Sequence, residues 1–92
     1  MGEVTLSGLL VCRSDEEVAA VEAHLRAHIE LTRAEPGCLS FDVVRTEDPW
    51  VWRVDERFDG PAAFAAHQQR VAAGEWGAAT KTVERRYSVR GL

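Results

Sequence analysis

The sequence predicts an α+β fold whose elements follow one another in the order β-α-β-β-α-β. Four segments alternate apolar and polar residues with the period of two that is typical of strands, and two segments repeat apolar residues at helical spacing. A short polar stretch between the second and third strands predicts an antiparallel hairpin. Right-handed crossovers then give a four-stranded antiparallel sheet with both helices on one face, which is the ferredoxin-like arrangement.

The composition bounds the class of protein. The 92 residues predict a single domain over positions 1–92, and 46% hydrophobic with 28% charged residues argue against disorder. A net charge of −4 disfavours binding to nucleic-acid phosphates. No apolar run approaches the roughly 20 residues that cross a bilayer, and the amino terminus lacks the layout of a secretion signal. We therefore expect a cytoplasmic protein with neither nucleic acid nor membrane as partner.

The first two elements are a strand over Glu3–Arg13 and a helix that begins after Ser14. The Ser14 side chain is expected to cap the amide of Glu17, with the Glu17 carboxylate reaching back to the Ser14 amide. Pro36 and Gly37 end the helix. The helix face that meets the sheet is predicted to carry Val18, Val21, Leu25, Ile29 and Thr32.

The remaining elements complete the pattern and leave one face of the sheet open. They are strands over Cys38–Thr46, Trp50–Phe58 and Val83–Val89, a helix that starts at Pro61, and a short helical piece over Glu75–Lys81. The two helices cover one face of the sheet, and half of the other face is expected to carry Leu, Val or Trp. We therefore expect a second copy of the chain to cover that face.

Histidine supplies the first candidate for chemistry. His67 lies three positions after Phe64, close to the helix face that meets the sheet. Two interpretations stay open: a buried structural histidine, or a proton acceptor or orienting donor, which suits the pKa range of imidazole. His24 and His28 are expected to face water at the side of the first helix, without a role, and two histidines are too few for a zinc site.

One carboxylate and three tryptophans supply the other candidates. Glu56 stands among apolar neighbours, where a carboxylate needs a partner or a wet pocket. Arg85 is the expected partner, and Glu56 is either half of a structural ion pair or a functional acid. Trp50 and Trp52 either fill the core or a dimer interface, or form a flat wall for a planar ligand. Trp76 is either a pocket rim or simple packing.

Three motifs, in this order, resemble the antibiotic biosynthesis monooxygenase family. The first is the turn Glu35-Pro36-Gly37-Cys38, followed by the aromatic residue Phe41. The second is the strand end Glu56-Arg57-Phe58. The third is the helical motif A-x-x-x-H, whose histidine is His67. The resemblance covers nearly the whole chain. It implies a homodimeric α+β barrel, whose better-known members oxidise phenolic or quinol compounds with O₂ and without flavin, haem or metal. The sequence also contains neither a G-x-G-x-x-G motif nor a Walker loop, so a nucleotide cofactor is not expected.

The resemblance also assigns residues to the site. It implies His67 and Glu56 as catalytic residues. The residues expected to bind substrate are Trp52, Trp76, Tyr87 and Phe64. Many relatives carry a second histidine a few residues further along the same helix, where this chain reads Gln68 to Gly74. Haem-degrading relatives use an Asn, and this chain contains none, so haem is not expected.

The function expected from these residues is cofactor-independent oxidation of a phenolic, quinol or polyketide-like aromatic compound by O₂. Two alternatives stay open. The same pocket in a non-catalytic dimeric binding or accessory module would hold an aromatic metabolite without turnover, which the absent second histidine favours. An isomerase or cyclase on the same barrel is the other alternative, because a fold alone does not fix the chemistry.

Overall fold

The computed structural model describes residues 2–92, and Met1 lies outside the described residues. Its strands are β1 (Val4–Val11), β2 (Cys38–Arg45), β3 (Val51–Phe58) and β4 (Glu84–Arg90). Its helices are α1 (Asp15–Arg33), α2 (Pro61–Ala73) and the short α3 (Glu75–Ala79). Within residues 2–92, none of the helices combines the length and the apolar character needed to span a membrane.

The sheet confirms the predicted ferredoxin-like fold. Its strand order is β2-β3-β1-β4, and each neighbouring pair is antiparallel. Alternate residues of β1, among them Leu6 and Leu10, are buried on the face that the helices cover. The register pairs Leu6 with Glu56 and Leu10 with Trp52. A carboxylate therefore lies in the middle of the apolar face beneath the helix layer, as the alternation in β3 predicted.

The start of α1 is capped as predicted, with one difference. The Glu17 amide donates to Ser14 Oγ at 3.1 Å, which satisfies one of the free amides of the first helical turn. The Glu17 carboxylate does not reach back to the Ser14 amide. Its Oε1 instead accepts from the amide of Arg13, one residue earlier, at 2.8 Å.

The β2–β3 hairpin differs from the prediction at Trp50. β3 begins one residue after Trp50, whose amide is held by the Asp48 carboxylate at 2.9 Å in the turn. Trp50 is 37% exposed, so two tryptophans do not share the buried face of the strand. A bulge at the start of β2 leaves Leu39 47% exposed, because the extra residue breaks the alternation.

The turn between α1 and β2 is docked directly onto the start of α2. Gly37 has φ +86°, and a Cβ at this position would lie 2.5 Å from Ala63 Cβ and 2.7 Å from Asp59 Oδ1. The Asp59 amide also donates to the Gly37 carbonyl at 2.8 Å. A glycine is therefore required here. The close approach brings Glu35, two residues before Gly37, beside α2.

The sheet face that points away from the helices is mixed in character. The register places the charged residues Arg53, Asp55 and Arg57 on it, and Arg57 pairs with Glu3 at 2.9 Å. Its apolar residues are Leu9, Val11, Val44 and Val51. Trp52, by contrast, lies on the helix-covered face. A second copy covering this open face stays a prediction.

Candidate functional site

A cavity of about 260 Å³ lies between the helix-covered face of the sheet and the three helices. Its wall is mainly apolar and includes residues of all four strands. The polar side chains on the wall are His28, Glu56, His67, Gln68, Arg85 and Tyr87. A largely apolar pocket with a few converging polar groups is the usual form of a small-molecule site.

Gly8 lies at the centre of the sheet beneath this cavity. It is surrounded by four residues of the cavity wall, which are Leu6, Leu10, Val54 and Tyr87. Gly8 has no side chain, and a Cβ there would lie 2.0 Å from the Arg86 carbonyl oxygen of β4. Because the neighbouring strand leaves no room for a side chain at Gly8, these four residues surround bare peptide backbone.

His67 lies on the buried face of α2 and is held by a carboxylate from the α1–β2 turn. Its Nδ1 is 2.8 Å from Glu35 Oε1, and the imidazole is 2% exposed. Arg70, one helical turn further along α2, donates from Nε to Glu35 Oε2 at 2.5 Å. A carboxylate beside Nδ1 fixes the proton on that nitrogen. Nε2 is thereby left as the hydrogen-bond acceptor.

The surroundings keep His67 neutral at physiological pH. Burial lowers the pKa of His67 and is the largest influence, while the hydrogen bond that His67 donates to Glu35 and the negative charge of Glu35 act in the opposite direction. The positive charge of Arg70 adds to the lowering. A neutral imidazole with its proton on Nδ1 is a base at Nε2, so His67 can accept a proton from a ligand.

Glu56 faces the free nitrogen of His67. Its Oε1 is 3.8 Å from His67 Nε2, which is longer than a hydrogen bond. This oxygen is buried and has no hydrogen-bond partner within residues 2–92. Burial raises the pKa of Glu56 to about 7, and the negative charge of Glu35 contributes. Glu56 can therefore take up or release a proton close to neutral pH.

The predicted ion pair between Glu56 and Arg85 is not formed. Arg85 Nη1 donates to the carbonyl oxygens of Thr80 at 2.8 Å and Val83 at 3.0 Å. Its Nη2 donates to Thr80 Oγ1 at 2.8 Å. The guanidinium is held by oxygens of the segment that joins α3 to β4 and does not pair with the Glu56 carboxyl.

The prediction that His28 faces water is wrong. His28 is 4% exposed and stacks in parallel on Trp76, with ring centres 4.4 Å apart and planes 5° apart. Its ring meets the edge of Phe41 at 5.2 Å and lies 6.0 Å from the ring of His67. His28 is seven residues after the buried Val21, and this spacing returns it to the same helix face.

The burial of His28 also sets its charge. Burial lowers its pKa to about 3, with smaller contributions from His67, Arg70 and Arg85. His28 is therefore a second neutral imidazole in the cavity wall, and it enters from α1 rather than from α2. His24 is half-buried and lies outside the cavity, in a groove of about 160 Å³ on the other side of the His28–Trp76 pair.

Four of the six predicted site residues line the cavity together. They are His67, Glu56, Trp76 and Tyr87. Tyr87 is half-buried, and burial raises its pKa to about 12. Its hydroxyl therefore stays protonated at physiological pH and can donate a hydrogen bond.

The other two predicted residues, Trp52 and Phe64, are not part of the cavity wall. Trp52 is 2% exposed in the core, and the guanidinium of Arg45 lies 4.9 Å from its ring centre. Phe64 packs against Phe58 with ring centres 5.7 Å apart. Both side chains support the site from behind rather than face a ligand in it.

Glu35 and Arg70 belong to the site, although neither was predicted from the sequence as part of it. Glu35 was assigned only to the turn that ends α1, although the Glu-Pro-Gly-Cys motif was itself a signal. It lies 32 residues before His67, and only the docking of α2 on the turn brings the two together. Within residues 2–92, no three His, Cys, Asp or Glu side chains are grouped to hold a metal ion. The described residues bring together an acid–base group and aromatic walls.

The fold and this site define a ferredoxin-like α+β protein with an aromatic-walled acid–base pocket. The chain belongs to the antibiotic biosynthesis monooxygenase family, whose model matches residues 14–79. This membership supports a function of the monooxygenase type. No curated protein sequence matches the chain significantly.

Similar solved structures come from several organisms. A conserved protein from Methanosarcina mazei has a TM-score of 0.81 at 17% identity, covering 99% of this chain and 93% of that one. Rv0793 from Mycobacterium tuberculosis has a TM-score of 0.78 at 24% identity, covering 99% of this chain and 95% of that one. A variant of SnoaB, described as a cofactor-independent oxygenase from Streptomyces nogalater, has a TM-score of 0.79 at 13% identity, covering 100% of this chain and 94% of that one. These likenesses show that the fold is shared.

Proposed function

We propose that the protein is a cofactor-independent monooxygenase that oxidises a phenolic, quinol-type or polyketide-like aromatic compound with O₂. The observation that carries this proposal is the His67 imidazole in the apolar cavity, held at Nδ1 by Glu35 and facing Glu56 with Nε2. Membership of the family and the fold shared with SnoaB, described as a cofactor-independent oxygenase, support it.

The shape of the cavity supports an aromatic substrate. An apolar cavity of about 150 Å³ is enough to hold benzene, so about 260 Å³ leaves room for a larger ring system. Trp76 and Phe41 supply aromatic surface on the wall. A planar ring can stack on such surfaces, and its burial excludes water from the reacting atoms.

A cofactor-independent oxygenase takes its electrons from the substrate. In the proposed reaction, His67 Nε2 accepts the phenolic proton, and the electron-rich phenolate passes one electron to O₂. The resulting aryloxyl radical and superoxide combine to form a carbon–oxygen bond, which gives a hydroperoxide once protonated. Loss of water then leaves a quinone carbonyl. One oxygen atom enters the product and the other leaves as water, so the substrate supplies all four electrons that reduce O₂.

The surrounding residues have defined parts in this reaction. Glu35 stabilises the imidazolium that forms on His67, and Arg70 holds the Glu35 carboxylate in place. Glu56, with its pKa of about 7, can return a proton to the reduced oxygen in the later steps. Tyr87 offers a neutral hydroxyl donor to a ligand oxygen.

The test is O₂ uptake with dihydroxynaphthalene, in protein stripped of metal and flavin. We expect quinone formation, and we expect His67→Ala to lower the rate by about a hundredfold or more, the usual contribution of a general base. His24→Ala is the matched control, because His24 lies outside the cavity. An unchanged rate in His67→Ala, or no O₂ uptake with any hydroxyaromatic compound, would contradict the proposal.

A second candidate function is a dimeric binding module for an aromatic metabolite. It is favoured by one observation, the absence of histidine from Gln68 to Gly74 where many relatives carry a second one. Thermal stabilisation by the ligand together with no O₂ consumption would support this function over the oxygenase. Product formed under nitrogen would instead indicate an isomerase or cyclase.

A further inference from the structure

His28 is a buried imidazole on the cavity wall that the reaction above does not use. It is fixed between two aromatic rings, parallel to Trp76 at 4.4 Å and edge-on to Phe41 at 5.2 Å. Packing against two aromatic rings does not by itself require the ring nitrogens of a histidine. The polar atoms of His28 are therefore the feature that needs an explanation.

The position of the proton on His28 follows from its surroundings. Nδ1 is buried without a hydrogen-bond partner within residues 2–92. A buried N–H group without a partner is rarer and more costly than an unpaired acceptor lone pair. The favoured neutral tautomer therefore carries its proton on Nε2, which lies at the far end of the ring from the α1 backbone. His28 thus offers a donor, whereas His67 offers an acceptor at its own Nε2.

We propose that His28 is a specificity-determining residue that donates a hydrogen bond from Nε2 to a carbonyl oxygen of the aromatic ligand. The two imidazoles lie 6.0 Å apart and line the same cavity. His67 accepts from a hydroxyl group while His28 donates to a carbonyl, so the pair selects a ring system that carries both. The placement of the hydroxyl at His67 rests on the proposed function.

The carbonyl selectivity can be measured with two ligands of one skeleton. 5-Hydroxy-1-tetralone carries a phenolic hydroxyl and a carbonyl, and tetrahydronaphthol carries the hydroxyl alone. We expect the wild-type protein to bind the tetralone more tightly, by calorimetric titration under nitrogen. His28→Phe keeps an aromatic ring in the stack but removes the donor. It should weaken tetralone binding roughly three- to tenfold, the size of one hydrogen bond, and leave tetrahydronaphthol binding unchanged.

His28→Gln is the matched variant that keeps a side-chain N–H, and it should restore part of the preference for the tetralone. Both ligands are compared on the same preparation, so a partly unfolded variant changes both affinities alike and leaves their ratio intact. An equal preference in wild type and His28→Phe overturns the proposal, as does a wild-type protein without preference.

The experiment separates this proposal from the oxygenase proposal, because binding under nitrogen needs no turnover. A carbonyl preference that depends on His28, in a protein that consumes no O₂ with hydroxyaromatic compounds, supports the role of His28 and refutes only the oxygenase.

Discussion

Two carboxylates flank the imidazole of His67, and their surroundings give them different tasks. Glu35 is bound by Arg70 at 2.5 Å and by His67 at 2.8 Å, so its charge is compensated where it lies. The buried Oε1 of Glu56 has no hydrogen-bond partner within residues 2–92, and burial raises the pKa of Glu56 to about 7. One carboxylate therefore holds the imidazole in place, and the other has a pKa that lets it change protonation state near neutral pH. Enzyme sites often contain two carboxyl groups whose different surroundings give them different roles.

Replacing the positioning carboxylate should lower turnover without weakening substrate binding. In Glu35→Gln the imidazolium of His67 loses its counter-charge, so we expect kcat to fall about tenfold or more with KM little changed. Because Glu35 raises the pKa of His67, the acidic limb of the rate profile should also move to lower pH. Steady-state O₂ uptake across pH measures both effects.

The control for this substitution is Asp42→Asn, which removes an exposed carboxylate that is paired to Arg33 at 3.1 Å outside the cavity. Its rate and pH profile should match those of the wild type. A Glu35→Gln enzyme with the wild-type profile would show that Glu35 has only a structural role.

The raised pKa of Glu56 predicts a pH-dependent stability. The ordinary value is 4.5, and the folded protein raises it to about 7, so the folded state binds this proton more tightly than the unfolded chain. Stability from Glu56 is complete below pH 4.5 and is lost as pH rises towards 7. At about 1.4 kcal/mol per pKa unit the loss reaches up to about 3 kcal/mol.

Glu56→Gln cannot ionise, so its free energy of unfolding relative to wild type should increase between pH 4 and pH 8. Urea denaturation at several pH values measures this difference. A difference that stays constant with pH would show that the Glu56 carboxyl is not desolvated in the folded protein.

At the scale of the elements, the site depends on one contact between the two halves of the chain. α2 begins against the turn that ends α1, and Gly37 makes the close approach possible. His67, about two turns into α2, and Arg70, one turn further along, then meet Glu35. Each half of the chain supplies part of the acid–base group, and neither half completes it.

A side chain at Gly37 should therefore loosen this contact. Gly37→Ala places a Cβ 2.5 Å from Ala63 Cβ and requires φ +86° of an alanine, so we expect a loss of roughly 1–3 kcal/mol in the free energy of unfolding. Gly60→Ala is the matched control, since nothing lies within 4 Å of its Cβ position and its backbone is extended. Equal urea midpoints for the two variants would show that the close contact between the Gly37 turn and α2 does not depend on the glycine.

The helices and strands were easier to predict from the sequence than the contacts between them. Periodicity and capping residues predicted every strand and both long helices, because these signals are local. Glu56 and His67 were found because a carboxylate and an imidazole stand out on apolar faces. Glu35 was missed because its partner is 32 residues away, and Arg85 was paired wrongly because its acceptors are backbone oxygens, which no side-chain pattern reveals. His28 was missed although its seven-residue spacing from Val21 was visible.

At the scale of the whole molecule, one face of the sheet is not covered by the helices. It carries apolar residues at Leu9, Val11 and Val51 beside charged residues. We propose that a second copy of the chain covers it, which would bury the apolar residues and pair the charged ones across the interface. Such a homodimer leaves the cavity on the helix-covered face of each protomer.

This proposal predicts a particle of twice the chain mass in analytical ultracentrifugation. Leu9→Glu places a charge on the open face and should shift the particle towards monomer. Leu31→Glu is the control, because Leu31 is 57% exposed on α1, away from this face. A wild-type protein that is monomeric at all concentrations, or a control that dissociates as readily as Leu9→Glu, would exclude the interface.

Gly8 has a consequence for how this site can diversify. Its missing side chain leaves peptide backbone at the base of the binding space, and the neighbouring strand prevents a side chain from being added. Adaptation to a new ligand must therefore come from the side chains around Gly8, through exchanges such as Leu10 or Val54 for bulkier or smaller residues. Such exchanges would change which rings fit, while His67, which lies on α2 across the cavity from the sheet, would stay in place.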